Sequence, residues 1–575
     1  MQNKSLKKYI RRILLILILV FLVLSFFIHP VKFDGKTKSY SDIDFKDNKY
    51  GLYLSSFRAE IMGDNFNLNK FYNEAVRQNE NDFLGKSYII NAANNEAEAV
   101  KSATAEIKRN PSNVIASVYL SYVDFKNGKY NDAYAKLNNI KNKSDTFIVK
   151  LLKSWVLMAQ NKNDEAMDLL ETEINNPAFD NIVLMNLALQ AELSGDNDYA
   201  EELYEEALET KLTLLDIENI ANFYLKQNRK QKAIDIVSKY VKEVPNSVST
   251  VSLLNALENN TYTPHYIDNP SKGMAKSLFD VSNIIVNLFP STSDLYLMYI
   301  DMVLNLDPNL YMAYIMKAEV YKKNNIISEY KALTKSIPEE SYLYLLNEMN
   351  YANFLLKYPQ YQFEAISLLK NLIKRNPTVV QLYQILGDYY KSDDNCKRAV
   401  DIYSEGIDKS NNNNKIALAD LYFSRSVCND ILKKTSDAKK DLEKAFSLNP
   451  KNPAILNYYA YFLLLNNDDF ERALKLAEQV IAIEPLNPYY LDTYGWAYFK
   501  LGKLDDALKM VEYAKALQPA NAVIADHLGD IYWTVGRKQE AIYEWKKALN
   551  NLNKTEMGID NLNPTMINRK INSGL

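Results

Sequence analysis

The chain has 575 residues, 47% of them hydrophobic, and its 68 Lys and Arg against 71 Asp and Glu leave a formal net charge of −3. That length exceeds what one compact core accommodates, so several domains or a stacked, one-dimensional core is required. The balanced charge lacks the basic excess that a phosphate backbone demands, which removes nucleic acid from the expected partners.

The first predicted element is an N-terminal signal anchor over residues 1–30. Lys4, Lys7, Lys8, Arg11 and Arg12 precede an apolar run from Ile13 to Ile28 that only Ser25 interrupts. As a helix this run spans about 24 Å, slightly under the ~30 Å hydrocarbon core. It ends Phe26-Phe27-Ile28-His29-Pro30, without the small residues of a cleavage site and with no following cysteine to carry lipid. The basic cluster holds the N-terminus in the cytoplasm. The expected location is therefore the inner membrane, single-pass, with the body in the periplasm of a bacterium with two membranes. A late-cleaved signal that frees a periplasmic body is the rival. Residues 31–48 are polar and aperiodic, and read as a spacer.

A repeat begins beyond the spacer. Its clearest copy is Pro488 to Leu549, where a shift of 34 residues lays Gly495 on Gly529, Tyr498 on Tyr532, Gly502 on Gly536, Ala507 on Ala541 and Ala514 on Ala548. Tyr490 to Leu501 and Leu504 to Leu517 carry apolar residues at helical spacing, with Gly502 between them. The unit is an antiparallel helix pair, closed by Pro519 and opened by Pro488 at a first helical turn. Gly495 and Ala507 mark where its two helices approach closely. No single pair buries its apolar face alone, so neighbouring pairs must stack. The position of Ala507 recurs upstream at Ala473, Ala438, Ala399 and Ala365, then at Ala233, Ala200, Ala166, Ala133 and Ala99. These recurrences define an N-terminal repeat segment over 49–245, with a degenerate first unit around Gly51 to Asn79, and a C-terminal segment over 365–551.

Between them, over 246–364, the register fails. Asn259 to Lys272 holds turn residues and two prolines and reads as a linker or long loop. Helical periodicity returns over Gly273–Leu288 and Asp294–Leu306 as irregular repeats. Cys396 and Cys428 lie 32 residues apart, so adjacent repeats bring them near each other. They read as a disulfide of an exported body or as two buried small hydrophobes. Residues 552–575 are a polar tail, with a basic end over Met566–Leu575 suited to a solubilising cap helix.

Catalytic and metal motifs are missing from the sequence. The three histidines, His29, His265 and His527, are far apart and none belongs to H-E-x-x-H. There is no phosphate-cradling Gly-rich loop and no G-x-S-x-G elbow. No catalytic residue, metal or cofactor is assigned.

The small positions, Tyr498 and Pro519 resemble the tetratricopeptide repeat (TPR). The resemblance implies an all-α fold, a right-handed α-solenoid of stacked helix pairs (a TPR superhelix) following the anchor. It also implies a concave groove lined by first-helix residues. In the last three repeats these are Asn457, Asp492 and Asp526 at the fifth position; Tyr458, Thr493 and His527 at the sixth; Tyr461, Trp496 and Asp530 at the ninth; and Leu464, Phe499 and Trp533 at the twelfth. Rings offer contact area, and Asn or Asp can bond a peptide backbone. Each aromatic has a second reading as core, and Trp545 reads as core. The acidic or neutral fifth position makes a free carboxylate a poor ligand.

The runs ILNYYAYFLL, LDTYGWAYFKLGK and ADHLGDIYWTVGRKQEAIYEWKKAL further resemble the ends of long proteobacterial envelope-associated TPR proteins, over Leu448 to Leu549. That resemblance implies a membrane-tethered, non-enzymatic scaffold binding a protein or peptide partner. One alternative is an adaptor recruiting a periplasmic protease or cell-wall hydrolase. Another is an envelope enzyme with its site in the irregular middle.

Overall fold

The computed structural model describes residues 87–93, 95–140, 146–174, 179–288, 293–410, 414–552 and 562–575. The predicted anchor over 1–30, the spacer and the degenerate unit Gly51–Asn79 lie outside them. Among the described residues every regular element is helix, and no helix is long and apolar enough to cross a membrane.

The chain divides into two compact units after Tyr351. The first opens with α1 (Glu96–Arg109). Four helix pairs follow: α2/α3 (Val114–Lys126, Tyr130–Asn138), α4/α5 (Thr146–Ala159, Asn163–Glu171), α6/α7 (Asp180–Ser194, Asn197–Ala207) and α8/α9 (Leu214–Lys226, Lys230–Glu243). Then come α10 (Val248–Glu258), α11 (Pro270–Leu288), α12 (Ser293–Leu306), α13 (Tyr311–Lys323), α14 (Ile327–Thr334) and α15 (Tyr344–Leu355), which carries the division. The second unit holds α16 (Gln362–Arg375), then α17/α18 (Val380–Ser392, Cys396–Lys409), α19/α20 (Lys415–Ile431, Thr435–Leu448), α21/α22 (Pro453–Leu465, Phe470–Ile483), α23/α24 (Pro488–Lys500, Leu504–Leu517) and α25/α26 (Ala522–Thr534, Lys538–Asn551). A last helix, α27 (Pro564–Ser573), follows.

Local chemistry sets these boundaries. Asn452, Asn487, Asn521 and Asn563 each accept a hydrogen bond from a first-turn backbone N–H of α21, α23, α25 and α27, at 2.8–3.1 Å. This satisfies donors that a helix start leaves orphaned. First helices end at a left-handed residue, which is Gly at Gly128, Gly195, Gly502 and Gly536, Asn at Asn161, Asn228 and Asn467, and Asp394 and Lys433 after α17 and α19. Asn tolerates that backbone better than other side chains, so the repeat turns need few of the chain's 15 glycines. Every alanine of the recurring series from Ala99 to Ala541 is fully buried. At Gly387 and Gly529 a Cβ would collide with Tyr403 and Trp545, the large second-helix side chains that fill each pair. Trp545 is fully buried, as its repeat position predicts. Cys396 and Cys428 carry free thiols, buried and with their sulfurs 2.7 Å apart.

The middle of the chain departs most from a simple stack. Residues 261–268 carry no helix, in keeping with a loop. After them α11 packs across first helices of the preceding pairs. Lys276, 1% exposed, forms an ion pair with Asp216 of α8 at 2.8 Å and donates to Asp280 one turn along α11 at 2.7 Å. Ser277 donates to Asn186 of α6, whose Oδ1 also accepts from Trp155 Nε1 of α4. Gly273 lies so close to the Trp155 ring that any Cβ would strike it. The first unit thus covers the inner face of its own repeats with its own helix.

Candidate functional site

Among the described residues, α21 and α23 have no such covering helix on the corresponding face, whereas α25 meets α27 there. These first helices pack side by side. Their N-caps fix the register, which brings the fifth, sixth and ninth positions of neighbouring repeats together.

The centre of the face is an aromatic ladder. Trp496 stacks on His527 of the next repeat, with centroids 3.9 Å apart and planes at 11°. On its own helix it stacks against Phe499 at 4.8 Å, and Tyr461 of the preceding repeat reaches His527 at 6.2 Å. His527 is 1% exposed, and its Nδ1 lies 2.9 Å from Asp492 Oδ2. Asp492 and His527, at the fifth and sixth positions of successive repeats, are therefore a buried polar tie between repeats. Trp496 is itself 5% exposed, while Tyr461 and Phe499 remain half-buried at the edge of the ladder. Among the described residues, Trp496 Nε1, Asn457 Oδ1 and Asp526 Oδ1 of this face are buried with no hydrogen-bond partner. Such groups are costly to leave unpaired.

The remaining predicted residues serve the structure around this ladder. Tyr458 donates to Asp430 at 2.9 Å and lies edge-on to Phe423, and burial followed by the Asp430 charge pushes its hydroxyl pKa well up. Thr493 donates to the Tyr489 carbonyl one turn back. Leu464 is core.

At the last repeat the face is closed. Lys570 of α27 donates to Asp526 at 2.6 Å and to Asp530 at 2.8 Å. Asp530 also accepts from Trp545 Nε1 at 2.9 Å. Burial, and next the Asp530 charge, push Asp526 up to about 6. Burial works against the Lys570 charge, but Asp530 and Asp526 outweigh it and raise its pKa. Trp533 is half-buried, tilted against Trp545 at 5.4 Å and covered by Gly574. Lys570 was not singled out by its sequence, because the basic end of the chain reads as a solvated cap. Its only signal is a 3.6-residue pattern with Ile567, Lys570 and Ile571 on one face.

Residues 419–452 and 493–549 each match a model of the tetratricopeptide repeat. No curated protein sequence matches the chain. Among solved structures, the APC/C heterotetramer Cut9–Hcn1 is similar over 91% of this chain and 99% of that one, at 14% identity and a TM-score of 0.37. YrrB, described as a TPR protein with an unusual peptide-binding site, is similar over 33% of this chain and 95% of its own, at 16% identity and a TM-score of 0.27. MamA from Desulfovibrio magneticus RS-1 is similar over 30% of this chain and 94% of its own, at 17% identity and a TM-score of 0.27.

Proposed function

We propose, from the premise that this is a tetratricopeptide-repeat protein, that it is a non-enzymatic scaffold whose second unit holds a polypeptide partner along the inner face of α21, α23 and α25. The observation that carries this reading is the aromatic ladder from Tyr461 through Trp496 and His527 to Phe499, pinned by the buried Asp492–His527 tie. A face fixed before a ligand arrives limits the ordering cost of binding. The half-exposed Tyr461 and Phe499 rings give contact area. In the same proposal the scaffold is tethered to the inner membrane by residues 1–30 and faces the periplasm. The basic cluster before the apolar run Ile13–Ile28 supports that part.

Site-specific photocrosslinking in native membranes tests the binding face. A photoreactive residue replacing Tyr461 or Phe499 is expected to give one discrete adduct band, and the same residue at Lys546, exposed on α26, none. Equal adducts at all three positions defeat the reading. Recovery of an intact N-terminal peptide from the membrane fraction checks the tether.

A further inference from the structure

The first unit contains a cleft of about 290 Å³ with a composition the repeat pattern does not require. Its walls are the start of α8, the non-helical stretch 261–268, the turn before α13 and the loop 338–343. At its base is Glu218, 8% exposed. Tyr342 donates to one carboxylate oxygen at 2.6 Å and Tyr262 to the other at 2.9 Å. Tyr262 and Tyr342 lie 6.1 Å apart, centroid to centroid, with their planes at 57°. The loop holding these groups is fastened to α8, because Asn222 donates to the His265 carbonyl at 2.9 Å and its Oδ1 lies 2.8 Å from the Tyr262 hydroxyl, whose single proton is shared between Asn222 and Glu218.

The electrostatics of the cleft are one-sided. Glu218 and Glu340 line it, and no Lys or Arg does. His265, which also lines the cleft, is paired with Asp307 at 3.1 Å behind it. Burial raises the Glu218 pKa, and the two tyrosine hydroxyls oppose that shift. Tyrosine rings add negative faces that attract cations. Leu215, Met312 and Leu343 supply an apolar wall for an alkyl stem.

We propose that this cleft binds a cationic head group on an alkyl stem, a guanidinium or alkylammonium, with Glu218 as its counter-charge. Such a ligand matches each feature: N–H donors for the remaining lone pairs of a carboxylate, positive charge for a lining that holds Glu218 and Glu340 but no Lys or Arg, and a stem for the apolar wall. The volume suits one side chain or a small amine rather than a drug-sized molecule. The site is independent of the binding face proposed for the second unit.

The test is saturation-transfer difference NMR on the full chain in mild detergent. The probes are butylguanidinium, the peptide acetyl-Gly-Arg-Gly-amide and, as a neutral control, 1-pentanol. Both cations are expected to give saturable signals that 1-pentanol does not. Glu218→Gln keeps the shape and an acceptor oxygen, and weakens the cations about tenfold or more. Thr263→Trp blocks the cleft from an exposed lining position and weakens them equally, without touching the buried base. Tighter binding of the peptide assigns the cation to a polypeptide, and equal binding assigns it to a free small amine; either result supports the site. Signals no stronger than those of 1-pentanol, or cation binding unchanged in both variants with unaltered melting temperature, overturn it.

Discussion

The two units finish the inner face of the same repeat in different ways. In the first, α11 lies across α4, α6 and α8, and Lys276 sits between Asp216 and Asp280 with its side chain 1% exposed. In the second, the face stays uncovered along α21 and α23 among the described residues, and Lys570 of the short α27 closes only the last repeat, at α25, with its side chain 8% exposed. The chemistry is shared: a lysine bridges two carboxylates. The difference is how much structure depends on it. Lys276 fastens a 19-residue helix within a continuous core, whereas Lys570 fastens a 10-residue helix at an end. A buried ion pair adds little net stability over an apolar equivalent, but removing one partner leaves an uncompensated charge. The comparison therefore predicts different costs for the same substitution at the two lysines.

The largest effect is expected for Lys276→Met. It leaves Asp216 and Asp280 buried together, at a cost of about 3–5 kcal/mol at pH 8, read as lost urea stability of the first unit. Asp280 is already pushed up to about 6, mainly by burial, despite the lysine. Below that pH the orphaned carboxyl takes up a proton and the cost shrinks. A full effect persisting at pH 5 would show that packing rather than charge sets it. Combining Lys276→Met with Asp216→Leu and Asp280→Leu should restore much of the loss.

A middle-sized effect is expected for Gly273→Ala. The added methyl meets the Trp155 ring, and overpacking of this kind costs about 1–3 kcal/mol. Incorporated 5-fluorotryptophan gives one ¹⁹F resonance for each of the four tryptophans. The Trp155 line should shift and broaden while those of the second unit stay in place. Unchanged Trp155 resonance would mean that α11 does not pack there in solution.

Much of the second unit was legible in its sequence. The alanine series, the glycines opposite Trp545 and Tyr403, and the turn at Gly502 are local requirements of a helix pair, and each returns at a nearly fixed interval. The candidate face was legible as positions but not as contacts. That His527 stacks on Trp496 and bonds Asp492 depends on the rise between repeats, which spacing does not encode. The first unit's covering helix was hidden for a different reason. Residues 259–272 read as a linker or loop and 273–288 as a helix of an irregular repeat, and periodicity says nothing of whether such a helix stacks in register or crosses the preceding pairs. A signal was present: Lys276 and Asp280, one turn apart, are the charged residues of the run GMAKSLFDVSNII, where a charged pair is either exposed or buried against a partner. Glu218 carried no comparable signal, because its partners Tyr262 and Tyr342 are 44 and 124 residues away.

The smallest effect is expected for Lys570→Met. The helix it holds has few other anchors, so its loss lets α27 open locally instead of unfolding the repeats. The measured cost is then limited to that local opening, about 1–2 kcal/mol. The Trp533 ¹⁹F line reports it, since Gly574 covers that ring. The pH dependence separates the two ends of the contact. Lys570 has its pKa raised above the usual lysine value of 10.5. Its contribution is complete below the unfolded pKa and disappears as pH climbs through the folded one. Asp526 is raised from 3.8 to about 6, so the folded state holds its proton more tightly. Its own contribution therefore declines as pH rises between those values. Wild-type docking should weaken modestly from pH 4 to 6, stay level, and fail above about 10.5. In Lys570→Met the alkaline loss should vanish and the acidic step should grow, because Asp526 then faces Asp530 without a cation between them. An alkaline transition that survives the substitution would assign it to another group and leave α27 held by its apolar residues, Ile567 and Ile571.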